Sequence, residues 1–178
     1  MAVTNLSSSV ATTMKERDLV IMRIIDAPRE LVFKAWTDPK HLVHWWGPKG
    51  FTTPFCTVDL RPGGVFIFCM RSPDGRDFWG RGVYREIAEP ERIVYTDSFS
   101  DEEGNLVEPA YYGMSRNFPS ETLVTVTFGE HEGKTKVTLR HVVSESVPER
   151  DEMQQGWSEM FDRLTEYLAN IKRSSGGR

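Results

Sequence analysis

Apolar residues follow two rhythms along this chain, and the change of rhythm divides it. From Leu19 to Val143 short runs alternate apolar and polar positions and are punctuated by Gly, Pro and Asp. Strands joined by turns produce that pattern. Beyond Val143 the period lengthens. Counted from Met153, the residues Trp157, Met160, Phe161, Leu164, Tyr167, Leu168 and Ile171 keep helical spacing on one face. Ser146 and Glu149 stand at capping-box spacing, and Pro148 falls in the first turn, where its missing N–H costs nothing. A helix over 148–171 would be roughly 35 Å long at about 1.5 Å per residue, enough to cross a small domain.

The strand region resolves further. Leu19–Ile25 reads as a strand, ended by Asp26-Ala27-Pro28, which opens a helix over Arg29–Trp36. Asp38-Pro39 starts a second short helix through Trp46, stopped by Gly47-Pro48. Strands follow at Phe55–Leu60, Val65–Arg71, Asp77–Ile87 and Arg92–Phe99, separated by Arg61-Pro62-Gly63-Gly64, Ser72-Pro73-Asp74-Gly75 and Glu89-Pro90-Glu91. Residues 100–120 form an irregular loop with an acidic run and the pair Tyr111-Tyr112; strands Thr122–Phe128 and Thr135–Val143 complete the series. Short turns between successive strands predict an antiparallel meander, hence an α+β fold with one long helix. Residues 1–16 are expected to be a disordered leader, 17–172 one domain, and 173–178 a disordered tail.

Strand phase selects the candidate interior. On Asp77–Ile87 the arginines Arg81 and Arg85 mark the solvent face, which leaves Phe78, Gly80, Gly82, Tyr84 and Glu86 pointing inward. Two glycines on one inward face predict either room for a ligand or close approach of a packed neighbour. The preceding strand offers Phe66, Phe68 and Met70. Its opposite face, Val65, Ile67 and Cys69, is also apolar and calls for cover by a neighbouring segment or a dimer partner. With Trp45, Tyr95, Met153, Trp157 and Phe161 these inward residues form the candidate ligand-binding set. Glu86, Asp97 and His141 fall on inward phases too, so with Tyr84 they are the candidates for acid–base catalysis; singly they read as rim, capping or hydrogen-bonded core groups. His41 and His44, beside Asp38, have the spacing of a metal pair, but no second ligand pair accompanies them, and no metal or cofactor is expected.

Composition narrows the function classes. The chain has 178 residues and a formal net charge of -4, with no stripe of Lys or Arg, which argues against nucleic acid as a partner. No apolar run reaches the roughly 20 residues of a membrane-spanning helix, and residues 1–15, without an apolar stretch or a charged start, are not expected to be a secretory signal. Two cysteines, Cys56 and Cys69, make no disulfide framework, so a cytoplasmic location is expected.

Several landmarks together resemble a known family. Ala27-Pro28 with Val32, Trp36-Thr37-Asp38-Pro39 and Trp45-Trp46-Gly47-Pro48 form its opening. Asp59-Leu60-Arg61-Pro62-Gly63-Gly64, Gly82-Val83-Tyr84-Arg85-Glu86-Ile87, Arg92-Ile93-Val94-Tyr95-Thr96, Gly156-Trp157 and Asp162-Arg163-Leu164 follow in order. The set is similar to the START-like (Bet v 1-like, SRPBCC) helix-grip superfamily, in the branch named after the activator of Hsp90 ATPase homologue. The resemblance implies a curved seven-stranded antiparallel sheet gripping the C-terminal helix around an apolar cavity, with two short helices between strands one and two. It implies no shared catalytic triad. Hsp90 is not an expected partner, since the residues before Arg17 could not form the companion domain of the eukaryotic co-chaperone. The expected function is non-enzymatic binding of a small hydrophobic or aromatic molecule; the alternatives are a cyclase- or hydrolase-like enzyme in the same cavity and a chaperone or protein-interaction module.

Overall fold

The computed structural model describes residues 18–176. The expected leader, and the end of the expected tail, lie outside them. In chain order the elements are β1 (Asp18–Ile25), α1 (Arg29–Thr37), α2 (Pro39–Leu42), β2 (Thr52–Val58), β3 (Val65–Arg71), β4 (Asp77–Ala88), β5 (Arg92–Ser100), a short 3₁₀ turn (Pro109–Tyr112), β6 (Thr122–His131), β7 (Lys134–Val142) and α3 (Arg150–Gly176). All seven strands form one antiparallel sheet in the order β1-β7-β6-β5-β4-β3-β2. Strands β2 to β7 are a simple meander, while β1 returns beside β7, so β1 and β2 are the sheet's edges. This is the α+β helix-grip architecture.

Strict alternation puts Thr135, Val137, Leu139 and His141 of β7 and Val124, Val126 and Phe128 of β6 on the buried face. Against them α3 buries Trp157, Met160, Phe161, Leu164 and Leu168, with Tyr167 and Ile171 half-buried at its flanks. Each large apolar side chain so buried contributes about 1.5–3 kcal/mol. Pro54 sits within edge strand β2, and the ladder to β3 shifts register between Thr52 and Phe55, because proline donates no hydrogen bond.

Four local expectations are corrected. The helix begins at Arg150, and the capping box does not form. Instead Glu149 accepts from the backbone N–H and the hydroxyl of Ser115, both at 2.8 Å, while the Ser146 N–H donates to Ser144 Oγ. At the other end α3 continues to Gly176, into residues expected to be tail. α2 stops at Leu42, and residues 43–45 follow as a turn. Finally, a bulge between Tyr84 and Glu86 reverses the phase of β4: Glu86 pairs across from Val94 on the outer face.

The apolar outer face of β3 is covered by the chain itself. Gly104, at φ +84°, lies so close that a side chain there would come 2.7 Å from Ile67 Cδ1. Arg81 on the same face donates to the Gly104 carbonyl at 2.9 Å, which fastens the 101–107 segment over the sheet.

Candidate functional site

Between α3 and the sheet the interior has a filled half and an open half. The filled half is built on α1. Trp36 packs on Trp45, Trp46, Trp157 and Phe161 with ring centroids 4.8–6.2 Å apart. Trp45 is wholly buried and donates its indole N–H to the Ala35 carbonyl at 2.9 Å. On the sheet side the two glycines of β4 are occupied by rings from β3. A Cβ at Gly82 would lie 2.0 Å from Phe66 Cζ, and one at Gly80 would lie 2.2 Å from Phe68 Cζ. Phe66 in turn meets Tyr84 and Tyr95 at 5.2 and 5.1 Å. A void of about 20 Å³ remains here, room for a single water.

The open half is a cavity of about 360 Å³ between the N-terminal half of α3, the inner face of β3–β6 and the segment 113–119. Its walls are Trp46, Phe51, Phe68, Met70, Phe78, Phe99, Met114, Phe118, Met153, Trp157 and Met160, with Gly80 and Gly156 at two approaches. Arg163 holds the Trp46 side in place by donating one guanidinium nitrogen to the carbonyls of Trp46, Gly47 and Pro48 at 3.2, 2.6 and 3.2 Å. The Ser115–Glu149 bonds hold the 113–119 segment against the start of α3.

On the inner face of the sheet the polar side chains of Asp97, Thr122 and His141 line the cavity. His141 is buried and fully engaged: the Trp157 indole N–H donates to its Nδ1 at 3.0 Å. Nδ1 is therefore the acceptor, so Nε2 carries the proton and donates to Thr122 Oγ1 at 2.7 Å. Burial pushes this imidazole down to about 4, so it is neutral at physiological pH. Asp97 is different. Burial pushes its carboxyl up to about 7, opposed only by the Ser98 backbone N–H.

Of the residues expected to bind ligand, Phe68, Met70, Phe78, Gly80, Met153 and Trp157 line the cavity. Phe66, Gly82, Tyr84, Tyr95, Trp45 and Phe161 belong to the filled half instead. Trp46, not Trp45, is the tryptophan of that pair that reaches the cavity. Asp97 and His141 both line it, whereas Glu86 is exposed and pairs with Arg92 at 3.2 Å. His41 donates to, or accepts from, the Tyr167 hydroxyl at 2.7 Å, and His44 stacks on the same ring at 5.2 Å. Sequence reasoning missed Met114 and Phe118, whose one signal was a pair of large apolar residues inside a polar irregular loop. It also missed Phe99, although that residue is in phase with Tyr95 and Asp97.

Among the described residues no helix is long and apolar enough to cross a membrane. No curated protein matches the chain. Among solved structures, a protein of Nitrosomonas europaea superposes with a TM-score of 0.72 at 25% identity, over 89% of this chain and 97% of that one. A solution structure from Arthrobacter aurescens gives 0.73 at 25% identity, with 88% of each chain covered. An AHSA1 protein of Silicibacter pomeroyi shares the fold at a TM-score of 0.66 and 22% identity, over 86% of this chain and 99% of its own. A family model described as Activator of Hsp90 ATPase homolog 1-like protein matches residues 26–169. At the level of the family, fold and match together support a ligand-binding domain. That match spans both short helices, six of the seven strands and most of α3, so the chain belongs to the activator of Hsp90 ATPase homolog 1-like family of the Bet v 1-like superfamily.

Proposed function

We propose that the protein binds a small apolar molecule, by preference an aromatic ring system, in the cavity beside the N-terminal half of α3, and carries out no chemistry on it. The observation that supports this most is the cavity itself. An apolar void costs stability in proportion to its volume, and the rest of this interior is packed ring against ring. At about 360 Å³ the void matches the lower end of the roughly 300–1,000 Å³ range of small-molecule sites. Acid–base catalysis fits less well. Glu86 faces solvent, and His141 has both ring nitrogens committed, which leaves Asp97 alone of those three candidates free for proton transfer.

Burying about 250 Å² of ring surface at about 25 cal/mol per Å² gives about 6 kcal/mol, a Kd of tens of micromolar. A polarity-sensitive apolar dye should bind in that range with blue-shifted emission and quench Trp157, which lines the cavity. Gly156→Leu supplies the control. A Cβ at Gly156 meets only Pro48 Cγ, at 3.6 Å, so a leucine there fits the fold and fills the cavity. Dye binding that is absent from the wild-type protein, or unchanged in Gly156→Leu, refutes the proposal.

A further inference from the structure

We propose that the ligand carries a protonated amine and that Asp97 is its counter-ion; this rests on the cavity reading above. The charged side chains lining the cavity are Asp97, Glu149 and Glu152, and no Lys or Arg is among the lining residues. An apolar site with acidic groups and no cation attracts ammonium and repels carboxylate.

Position then separates Asp97 from the other two. Glu149 stands at the start of α3 with its carboxylate already engaged by Ser115. Glu152 is exposed in the first turn. Asp97 instead rises from the inner face of the sheet, between register partners Gly82 and Thr122. No side chain among the described residues donates to its carboxylate, and it takes part in no ion pair there. Gly82 offers no side-chain donor, the space above it being taken by the Phe66 ring, and Thr122 uses its hydroxyl on the Asp97 backbone carbonyl at 3.4 Å and on His141 at 2.7 Å. A half-buried carboxylate with only the Ser98 backbone N–H beside it and no cation is costly, and a cation delivered by the ligand removes that cost.

The titratable groups facing Asp97 leave the role open for the ligand. From β7, His141 is neutral and donates away from it, to Thr122. From β5, the Tyr95 hydroxyl is held protonated by burial. From α3, Glu149 and Glu152 add negative charge. The helix N-terminus would favour an anion, but its first turn already holds Asp151 and Glu152. With Asp97 at about 7, a docking ammonium completes the ionisation of a group already half-ionised at neutral pH.

Three probes of one shape test this: naphthylmethylamine, naphthylmethanol and naphthoate, titrated calorimetrically against the full chain. At pH 8 the amine should bind at least tenfold tighter than the alcohol, and the carboxylate most weakly. Amine affinity should rise between pH 5.5 and 8 as Asp97 ionises, while that of the alcohol should not. Asp97→Asn should bring the amine down to the level of the alcohol; the wild-type ranking and its pH profile test the proposal even if this variant folds poorly. Equal binding of amine and alcohol by the wild-type protein overturns the inference and leaves the cavity reading standing. An amine preference that survives Asp97→Asn, or that vanishes equally in Glu152→Gln, overturns the assignment to Asp97. Failure of all three probes to bind takes down both readings.

Discussion

Gly82→Ala tests how the filled half of the interior is built. The added Cβ would lie 2.0 and 2.1 Å from Phe66 Cζ and Cε1 and 2.6 Å from the Thr96 carbonyl oxygen. All three separations are far inside van der Waals contact. The Thr96 oxygen belongs to the β4–β5 ladder and cannot retreat without loss of strand pairing. Phe66 cannot swing away either, because Tyr84, Tyr95 and Phe68 hold its ring at 5.2, 5.1 and 6.2 Å. In a strand that points into open space the same change would stabilise by about 0.4–1 kcal/mol. Here overpacking should cost about 1–3 kcal/mol, a fall in Tm of several degrees for a domain this size. Phe66→Leu removes the ring that collides. On its own it leaves a small cavity, but with Gly82→Ala the two should be less destabilising than the sum of the single changes. Thermal and urea melts of the four proteins measure the cycle. A neutral or stabilising Gly82→Ala, or strict additivity, would show that Phe66 does not lie on Gly82.

Two further predictions use the polar groups around the cavity. Asp97 has a folded pKa of about 7, above the usual carboxyl range, so its ionisation removes stability as pH rises from about 4 to 7; His141, at about 4 and below its usual value, adds stability over about 4–6.5. Asp97→Asn should therefore uncover the His141 slope, a rise of up to about 3 kcal/mol between pH 4 and 6.5 in urea unfolding; a profile that stays like the wild type contradicts these assignments. Glu149→Ala deletes both bonds that hold Ser115, so amide hydrogen exchange over 113–119 should accelerate and dye release should quicken, with global stability lowered by about 1–2 kcal/mol. Unchanged exchange in that segment would mean that the clasp does not hold it.

The fold was legible because period and turn chemistry agree along almost the whole chain. Alternation in β6 and β7 and the stripe on α3 each fix one buried face, and the turn residues fix the meander. Legibility failed where one residue shifts a register. The bulge after Tyr84 sends Glu86 outward, and nothing in an alternating run announces a bulge. It failed again where two readings share one signal. Gly80 and Gly82 meant either room for a ligand or a close neighbour, and the neighbour proved to be phenylalanine rings of the adjacent strand rather than the long helix. The capping box failed by competition, since Glu149 found two donors on Ser115, remote in sequence. Trp45 and Trp46 are adjacent, and periodicity could not say which ring the short α2 turn would direct to the cavity.

The filled and open halves follow from one placement, that of Trp157. Its ring stacks on Trp36 at 6.2 Å with 22° between the planes, and its N–H is fixed by His141, so it stands as a partition between the two. Beyond it toward the C-terminus, Phe161, Leu164 and Leu168 reach the sheet and α1 and leave no room. Before it, α3 carries Gly156, Met153 and Glu152, and the cavity lies between that stretch and β4–β5. Met114 and Phe118 close the remaining side from an irregular segment, which explains apolar residues that neither strand nor helix periodicity accounts for. Two bonds join that wall to Glu149, whereas the sheet and α3 are fixed by full ladders and by core packing. The 113–119 wall is therefore the side of the cavity that opens at least cost, while the sheet that presents Asp97 keeps its pairing to β4 and β6.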